Sequence, residues 1–275
     1  MMEIADPVAH AAKLISNANG ILITAGAGMG VDSGLPDFRG DDGFWKAYPA
    51  LAESCIGFES IASPAKFKRN PALAWGFYGH RLDLYRKTEP HKGFAVLKAL
   101  SDKMPRGTFV VTSNVDGQFQ KAGFPENRIL EIHGSIHHLQ CIEPCRQEIW
   151  SADEIEPFID ETKCLWRGDL PQCPYCRALA RPNVLMFYDA DWVPKRTARQ
   201  RECLEYWQSS LKTMVVLELG AGTSLPTIRR FSLSRGCPVI RVNPLNATMP
   251  PDAGVSLAMG AQRALDLIAA AMGLG

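Results

Sequence analysis

Excess charge of either sign is missing from this sequence, in which 30 Lys and Arg residues stand against 29 Asp and Glu residues. The net charge of +1 gives no general attraction to nucleic acid or to an anionic membrane, so neither is expected as a partner. Long apolar runs are missing too, since none approaches the roughly 18 residues that span a bilayer. The first residues show no basic region followed by an apolar segment, as a signal peptide would. We therefore expect a cytoplasmic protein.

A disulfide framework is not expected, although the chain has eight cysteines. In a cytoplasmic protein, cysteines more often bind a metal or stay buried as thiols. Internal repeats and low-complexity stretches are absent as well. The length of 275 residues suits one large domain, or one domain that carries inserts.

Short apolar runs alternate with helix-like segments along most of the chain. The helix-like segments repeat apolar residues at intervals of three and four. Apolar strands separated by helices predict an α/β fold with a parallel sheet that is covered on both faces. The predicted strands are residues 21–23, 109–111, 129–132, 214–219 and 239–242.

Two regions break this alternation. Residues 44–87 are rich in aromatic side chains and predict helices without a clear strand. Residues 137–181 contain five of the eight cysteines and many Pro and Gly residues. We interpret both regions as inserts in one α/β domain.

A glycine-rich loop, residues 26–30, follows the first predicted strand directly. Glycines at such a place let backbone N–H groups approach an anion closely. The dinucleotide fingerprint G-x-G-x-x-G would need a glycine where Val31 stands, and an acidic residue about 20 positions later is missing. By itself the loop therefore allows a phosphate site or a plain strand-to-helix turn, and it argues against an ordinary dehydrogenase.

The continuation of this loop is more specific. Residues 26–40, GAGMGVDSGLPDFRG, resemble the NAD loop of the sirtuins, the NAD-dependent protein deacylases. Further segments resemble sirtuin motifs in the same order along the chain, so the resemblance covers residues 20–245. These segments are residues 112–116 (TSNVD), 131–134 (EIHG), 181–187 (RPNVLMF) and 222–225 (GTSL).

The resemblance implies a Rossmann-like parallel sheet with a small zinc-binding module and a helical insert. The active site would lie in the cleft between these parts. The implied domains are a Rossmann-like NAD-binding domain of residues 1–43, 88–136 and 182–275, a helical insert of residues 44–87 and a zinc-binding module of residues 137–181.

Three polar residues follow the ends of predicted strands: Asn114, Asp116 and His133. Open parallel sheets bind their ligands at these ends. Singly, Asn and Asp there are ordinary turn residues, and a lone His is more often structural than catalytic. The resemblance assigns catalysis to all three: His133 would accept a proton from a ribose hydroxyl, and Asn114 and Asp116 would hold the nicotinamide and the ribose.

The resemblance also assigns a set of residues to the cofactor and to the substrate. Val184 and Phe187 would lie in the strand that binds the substrate. The residues that would bind NAD are Gly26, Ala27, Gly28, Asp37, Phe38, Arg39, Ser113, Gly222, Thr223, Ser224 and Asn243.

The chain departs from the family pattern at three places. Gly30 replaces the usual serine, and Ser113 replaces the usual glutamine. Gln118-Phe119 stands where Leu-His is common, and that histidine is expected to be structural. None of these changes removes the base or the nicotinamide-binding pair, so we expect an active enzyme.

Two cysteine pairs lie about 27 residues apart in the second insert. Four thiolates suit tetrahedral zinc, and the spacing resembles the structural zinc module of the family. Cys164 is a fifth candidate ligand, and free or redox thiols are the alternative. The expected ligands of one structural Zn²⁺ are Cys141, Cys145, Cys173 and Cys176. The isolated cysteines, expected to be buried, are Cys55, Cys203 and Cys237.

The first insert contains a possible determinant of acyl preference. Tyr78 and Arg81 are three residues apart, so they share one face of a predicted helix. They resemble the Y-x-x-R pair of sirtuins that remove acidic acyl groups, in which Tyr and Arg bind a carboxylate. The alternative is a core tyrosine beside a solvated arginine.

We expect NAD-dependent deacylation of acylated-lysine proteins, which releases nicotinamide and O-acyl-ADP-ribose. The enzyme would remove acetyl groups and also succinyl or malonyl groups. ADP-ribosyl transfer and NAD hydrolysis stay open, because they begin with the same bond cleavage and use the same base. A non-catalytic NAD sensor would lack that base, whereas His133 is present.

Overall fold

The structure, a computed structural model, describes residues 6–37 and 40–274. Its strands there are β1 (Gly20–Ala25), β2 (Thr108–Thr112), β3 (Ile129–Glu131), β4 (Gly134–Cys141), β5 (Ile149–Ser151), β6 (Ile159–Asp160), β7 (Leu165–Trp166), β8 (Ala180–Val184), β9 (Met214–Leu219), β10 (Val239–Val242) and β11 (Gly254–Leu257).

The helices of the same part of the chain are α1 (Pro7–Ser16), α2 (Gly40–Ala47), α3 (Pro49–Glu53), α4 (Phe58–Ile61), α5 (Pro64–Arg69), α6 (Pro71–Lys87), α7 (Lys92–Lys103), α8 (Gln118–Lys121), α9 (Lys195–Ser209), α10 (Thr227–Leu233) and α11 (Ala261–Ala271). None of these described helices has both the length and the apolar character that crossing a membrane requires.

Six strands form one parallel sheet in the order β11-β10-β9-β1-β2-β3. Successive side chains of a strand point to opposite faces. On β1, Ile21 and Ile23 pack with residues of α1, α7 and α11, whereas Leu22 packs with residues of α9 and α10. Helices therefore cover both faces, which confirms the parallel sheet expected from the apolar runs.

The order of the strands reverses at β1. From this strand the chain adds β2 and β3 on one side, and it later adds β9, β10 and β11 on the other. Connections that leave in opposite directions open a crevice at the carboxyl ends of β1 and β9, where open α/β sheets bind ligands. The loops that begin at Gly26 and Gly220 both lie at this crevice.

The edge strand β11 is absent from the strands expected from sequence. Its four residues alternate between half-buried and buried positions, so they form no continuous apolar run. Gly254 begins it with a φ of +139°, and a Cβ there would lie 2.1 Å from the carbonyl oxygen of Val239. Only the pairing with β10 makes this segment recognisable as a strand.

The two predicted inserts pack against each other. Residues 44–87 are helical as expected, and strands β5, β4 and β8 form a separate antiparallel sheet. The hairpin of β6 and β7 lies on α6 at two glycines, Gly76 and Gly79, where a Cβ would meet Cys164 O at 1.9 Å and Ile159 Cδ1 at 2.9 Å. The absence of two side chains on one helix face lets the hairpin approach. The bounds of the three domains stay predictions.

Candidate active site

The glycine-rich loop after β1 packs against the loop after β9. The Gly28 N–H donates to Gly220 O at 3.0 Å, and Gly220 has a φ of +61°, which favours glycine. A Cβ on Gly26 would lie 2.9 Å from Ala221 Cα, and one on Gly28 would lie 2.8 Å from Gly220 Cα. These glycines are therefore required for two backbones to meet at the crevice.

Beyond this contact the second loop is open. Gly222, Thr223 and Ser224 are exposed, and a Cβ on Gly222 would meet no heavy atom within 4 Å. Asn243, also expected to bind NAD, has a buried side chain, and its Nδ2 donates to Ala221 O at 2.9 Å. Its Oδ1 accepts the N–H groups of residues 245 and 246, so Asn243 holds the loop from behind.

Two backbone loops with small residues and an open front fit the phosphates of a dinucleotide, because N–H groups there can approach an anion. Two short 3₁₀ turns, Ala27–Met29 and Val31–Ser33, continue the first loop. Asp37 is half-buried near the end of that segment. Phe38 and Arg39, also assigned to NAD binding, lie outside the described residues.

Two of the departures from the family pattern have a structural context. A Cβ on Gly30 would lie 3.1 Å from a methyl group of Leu35, so a side chain there would need Leu35 to shift slightly. Phe119 is buried and packs on Phe94 and Phe124, with ring centroids 5.0 and 5.4 Å apart. Position 119 therefore belongs to the core, as expected.

The three expected catalytic residues come from adjacent strand ends. Ser113 N donates to Ala25 O at 3.1 Å, and Ile132 N donates to Thr112 O at 2.9 Å, which aligns the ends of β1, β2 and β3. Asn114 Nδ2 donates to Gly26 O at 3.1 Å, so this side chain touches the glycine-rich loop.

His133 lies beside this row of strand ends. Burial lowers the pKa of His133, and a hydrogen bond with the Ser113 backbone opposes that change. The ring is therefore neutral at pH 7, and a neutral imidazole can accept a proton. The backbone of His133 is fixed as well, since its carbonyl accepts the N–H of Leu185, the residue after β8, at 2.9 Å.

Asp116 is a buried carboxylate on the loop after β2. Burial raises the pKa of Asp116 to about 6, against the opposing hydrogen bond from Gln118 N–H at 2.9 Å. The negative charge of Glu131 raises this pKa further, and the positive charge of Arg81 lowers it. A carboxylate that is difficult to ionise is typical of functional sites as well as of buried ion networks.

His91 supports the glycine-rich loop and has no counterpart among the residues expected from sequence. This buried ring contacts Met29 O through Nε2 at 3.0 Å, and its Nδ1 accepts Gly93 N–H at 3.1 Å. Its backbone N–H donates to Ser33 Oγ at 3.0 Å. Nδ1 accepts, so Nε2 carries the proton that is donated to the loop. The sequence gives no sign that His91 contacts a glycine-rich loop that lies 62 residues earlier.

The expected substrate strand is held by a buried ion pair. Arg181 donates to both carboxylate oxygens of Asp189 at 2.8 and 2.7 Å, and neither side chain is exposed. Asp189 also accepts Met186 N–H at 3.2 Å, and Phe187 N–H donates to Ala62 O at 3.0 Å. The segment after β8 is thus fixed on both sides, with Val184 buried and Phe187 half-buried.

Tyr78 and Arg81 lie together in the aromatic core of the helical insert. Tyr78 is 1% exposed and Arg81 is 7% exposed. The guanidinium carbon lies 5.2, 5.7 and 5.3 Å from the ring centroids of Phe77, Tyr78 and Tyr85. Arg81 Nε and Nη2 donate to the Tyr85 hydroxyl at 2.9 and 2.8 Å. The arginine is therefore not a solvated one, and Tyr85 is a partner that the Y-x-x-R pattern does not include.

Four cysteines of the second insert form one cluster, in which all Sγ atoms lie within 4.8 Å of one another. The separations are 3.6 Å for Cys141–Cys176 and 3.7 Å for Cys145–Cys173. Zn–S bonds of about 2.3 Å place tetrahedral sulfurs about 3.8 Å apart, whereas a disulfide needs about 2.05 Å. The donor set and its spacing therefore fit a closed, structural zinc site.

The other cysteines lie elsewhere. Cys164 is buried against α6, and burial raises the pKa of its thiol to about 12. This position removes it from the set of candidate ligands. The expectation that the isolated cysteines are buried is wrong, because Cys55 is exposed, and Cys203 and Cys237 are half-buried. Cys55 has a φ of +51° after the end of α3, a turn position that leaves the side chain in solvent.

Comparisons with known proteins agree with this geometry. A family model described as the Sir2 family matches residues 26–225. An NAD-dependent protein deacylase of Thermococcus kodakarensis is 33% identical over 90% of this chain and 88% of its own length. NAD-dependent protein deacylase 1 of Caldanaerobacter subterraneus is 29% identical over 90% and 91%. A solved complex of a Sir2 homologue with NAD has a TM-score of 0.72 at 24% identity and covers 96% of this chain and 93% of that one, which shows a shared fold.

Proposed function

This chain belongs to the Sir2 family, and from that premise we propose that it is an NAD-dependent protein-lysine deacylase with His133 as its base. One observation carries the proposal. A neutral histidine and the Asn114–Asp116 pair follow strands whose ends adjoin the glycine-rich loop. An acyl-transfer site needs a proton acceptor next to the bound reactants, and these strand ends supply it.

NAD would be held across the crevice between β1 and β9. Gly26, Ala27 and Gly28 would approach its phosphates, with Gly222 to Ser224 on the facing loop. When bound, NAD supplies the ribose carbon that accepts the acyl oxygen as nicotinamide leaves. Ser113, Asp37, Phe38, Arg39 and Asn243 complete the proposed set, and Asn243 would also support the facing loop through its hydrogen bond to Ala221 O.

Asn114, Asp116 and His133, the three residues after the strand ends, would have different roles in the reaction. Asn114 and Asp116 would orient the nicotinamide and the ribose. His133 would take a ribose hydroxyl proton on the ring nitrogen that does not bond to Ser113. Val184 and Phe187 would bind the acylated lysine beside them, in a segment that the Arg181–Asp189 pair keeps rigid.

The helical insert supports an additional preference for acidic acyl groups. The Arg81 charge lies in a largely apolar cluster, so a carboxylate there would form a charge-assisted hydrogen bond with little competition from water. The Tyr85 hydroxyl contacts the guanidinium and the Tyr78 ring lies beside it, so each phenol would offer an O–H donor to the same carboxylate. Succinyl- and malonyl-lysine are therefore the proposed preferred substrates.

The four clustered thiols would hold one structural Zn²⁺ and join the end of β4 and the loop that follows it to the loop before β8. With four protein ligands no coordination position is left for a substrate. Thiolate ligands persist in a reducing compartment, which supports the proposed cytoplasmic location.

The first experiment measures nicotinamide release from NAD with and without acetyl-lysine and succinyl-lysine peptides. We expect release to require an acylated peptide and to fall by about 10²–10⁴-fold in His133→Ala, because general-base catalysis is lost. NAD binding, measured by calorimetry, should persist. Exposed His10 gives the matched control, and His10→Ala should keep full turnover. Nicotinamide release at the same rate with and without an acylated peptide would instead indicate NAD hydrolysis.

The second experiment tests the acyl preference. Arg81→Met should reduce kcat/KM for succinyl-lysine by roughly ten- to a hundredfold, because a charge-assisted hydrogen bond is lost, and should change acetyl-lysine turnover little. Assays at pH 8 keep Asp116 ionised, since Arg81 also lowers the pKa of that carboxyl. Tyr78→Phe should act in the same direction but more weakly. Lys87→Met, an exposed change on the same helix, is the control. Equal losses of kcat/KM for both substrates would show that Tyr78 and Arg81 stabilise the helix and do not select the acyl group.

A further inference from the structure

Tyr188 combines exposure with an unfavourable backbone conformation. Its side chain is 88% exposed, and its φ of +55° lies in the left-handed region that favours glycine. Its two neighbours are fixed, because Phe187 N–H donates to Ala62 O and Asp189 pairs with buried Arg181. An aromatic residue held outward in this way, between two anchored positions, points to a functional reason for the strain.

The outward side chain has a specific partner on the helical insert. The Tyr188 hydroxyl donates to the Oε1 carboxylate oxygen of Glu59, which lies on α4. Both residues line a cleft of about 460 Å³, which Phe58, Ser60 and Phe187 also line. Among the described residues of this lining, Glu59 is the charged one.

The chemistry of the cleft fits a long cationic side chain. Phe58 and Phe187 meet edge to face, with ring centroids 5.8 Å apart, so they form an apolar wall for an aliphatic stem. Glu59 offers a carboxylate for the ammonium or guanidinium group at the end of that stem. The Tyr188 hydroxyl occupies Oε1 and restrains the carboxylate, while Oε2 keeps its own acceptor capacity for the cation.

We propose that the Glu59–Tyr188 cleft recognises a Lys or Arg residue of the substrate protein close to the acylated lysine. The inference rests on the proposed function, and it adds a sequence preference to it. Phe187 connects the cleft with the proposed acyl-lysine site, because it lines the cleft and belongs to the segment proposed to bind the acyl-lysine. The cleft thus takes a flanking side chain of the substrate and not the acyl group itself.

The test uses acetyl-lysine peptides that differ at one flanking position, which carries Arg, Gln or Glu. With wild-type protein and NAD, one position within three residues of the acetyl-lysine should favour Arg over Gln by about two- to fivefold in kcat/KM, with Glu below Gln. In Glu59→Gln the Arg-to-Gln ratio should fall to about one. Glu205→Gln removes an exposed carboxylate from α9 and should keep the wild-type ratio.

Tyr188→Phe tests the hydroxyl group alone, because Phe keeps the aromatic ring and has the same backbone restriction. The ratio should fall only part of the way, since the Glu59 charge stays but is no longer held. Equal turnover of Arg and Gln peptides at every position, or a ratio that survives in Glu59→Gln, would overturn the inference. If wild-type protein turned over no acylated peptide, the proposed function would fail instead. Fluorescence anisotropy of labelled Arg and Gln peptides would still test the cleft.

Discussion

Replacing Asp116 with Asn should make the protein more stable and less active, which is an unusual combination. The carboxyl is buried, and its Oδ1 accepts Gln118 N–H at 2.9 Å. Asn has the same shape and can accept the same hydrogen bond, so Asp116→Asn removes the ionisable group with little change in packing.

The magnitude follows from the pKa of Asp116, which burial raises from 3.8 to about 6. This difference corresponds to roughly 3 kcal/mol. Below the unfolded-state pKa the carboxyl is protonated in both states, and ionisation has no cost. Above the folded-state pKa it is ionised in both states, and the folded protein bears the full cost of the buried charge. Wild-type stability from this group therefore falls as the pH rises from about 4 to about 6.

The assay is urea denaturation of wild-type protein and Asp116→Asn from pH 5 to pH 8, followed by tryptophan fluorescence. The free energy of unfolding of the variant should exceed that of wild type by roughly 3 kcal/mol at pH 8 and by about half as much at pH 5. Asp102→Asn, which removes an exposed carboxylate, should show no such trend. A difference that stays constant with pH, or a variant less stable at pH 8, would refute the buried-charge explanation. Nicotinamide release should fall in the same variant.

Two further outcomes are expected. Elemental analysis should find one zinc per chain, and strong chelation should lower the melting temperature before it lowers turnover of the folded fraction, because metal binding contributes to folding. Well-folded protein without zinc would contradict this. His91→Ala removes the contact with Met29 O and the acceptor for Gly93 N–H, so we expect the KM for NAD to rise by about tenfold and kcat to change less. An unchanged KM would show that the loop keeps its shape without His91.

The sequence by itself determined the parallel sheet, the glycine-rich loop and the four-cysteine cluster. The sheet and the loop depend on local properties, because continuous apolar runs indicate strands buried on both faces, and glycine indicates backbones that must approach closely. The cysteine cluster was predicted from the number and spacing of the thiols and from the family resemblance. The alternating edge strand β11 escaped this reasoning, because one side of it is only half-buried.

Outside the cysteine cluster, only the tertiary structure decided which distant residues meet. Met29 and His91 are joined across 62 residues, and Tyr188 reaches Glu59 across 129. Cys164 is separated from the other thiols because Gly76 lets its backbone approach α6. Such pairs depend on how loops close and how elements pack, and no local periodicity encodes either. A sequence pattern therefore identifies residue types for chemistry, while packing decides their partners, their burial and hence their charge.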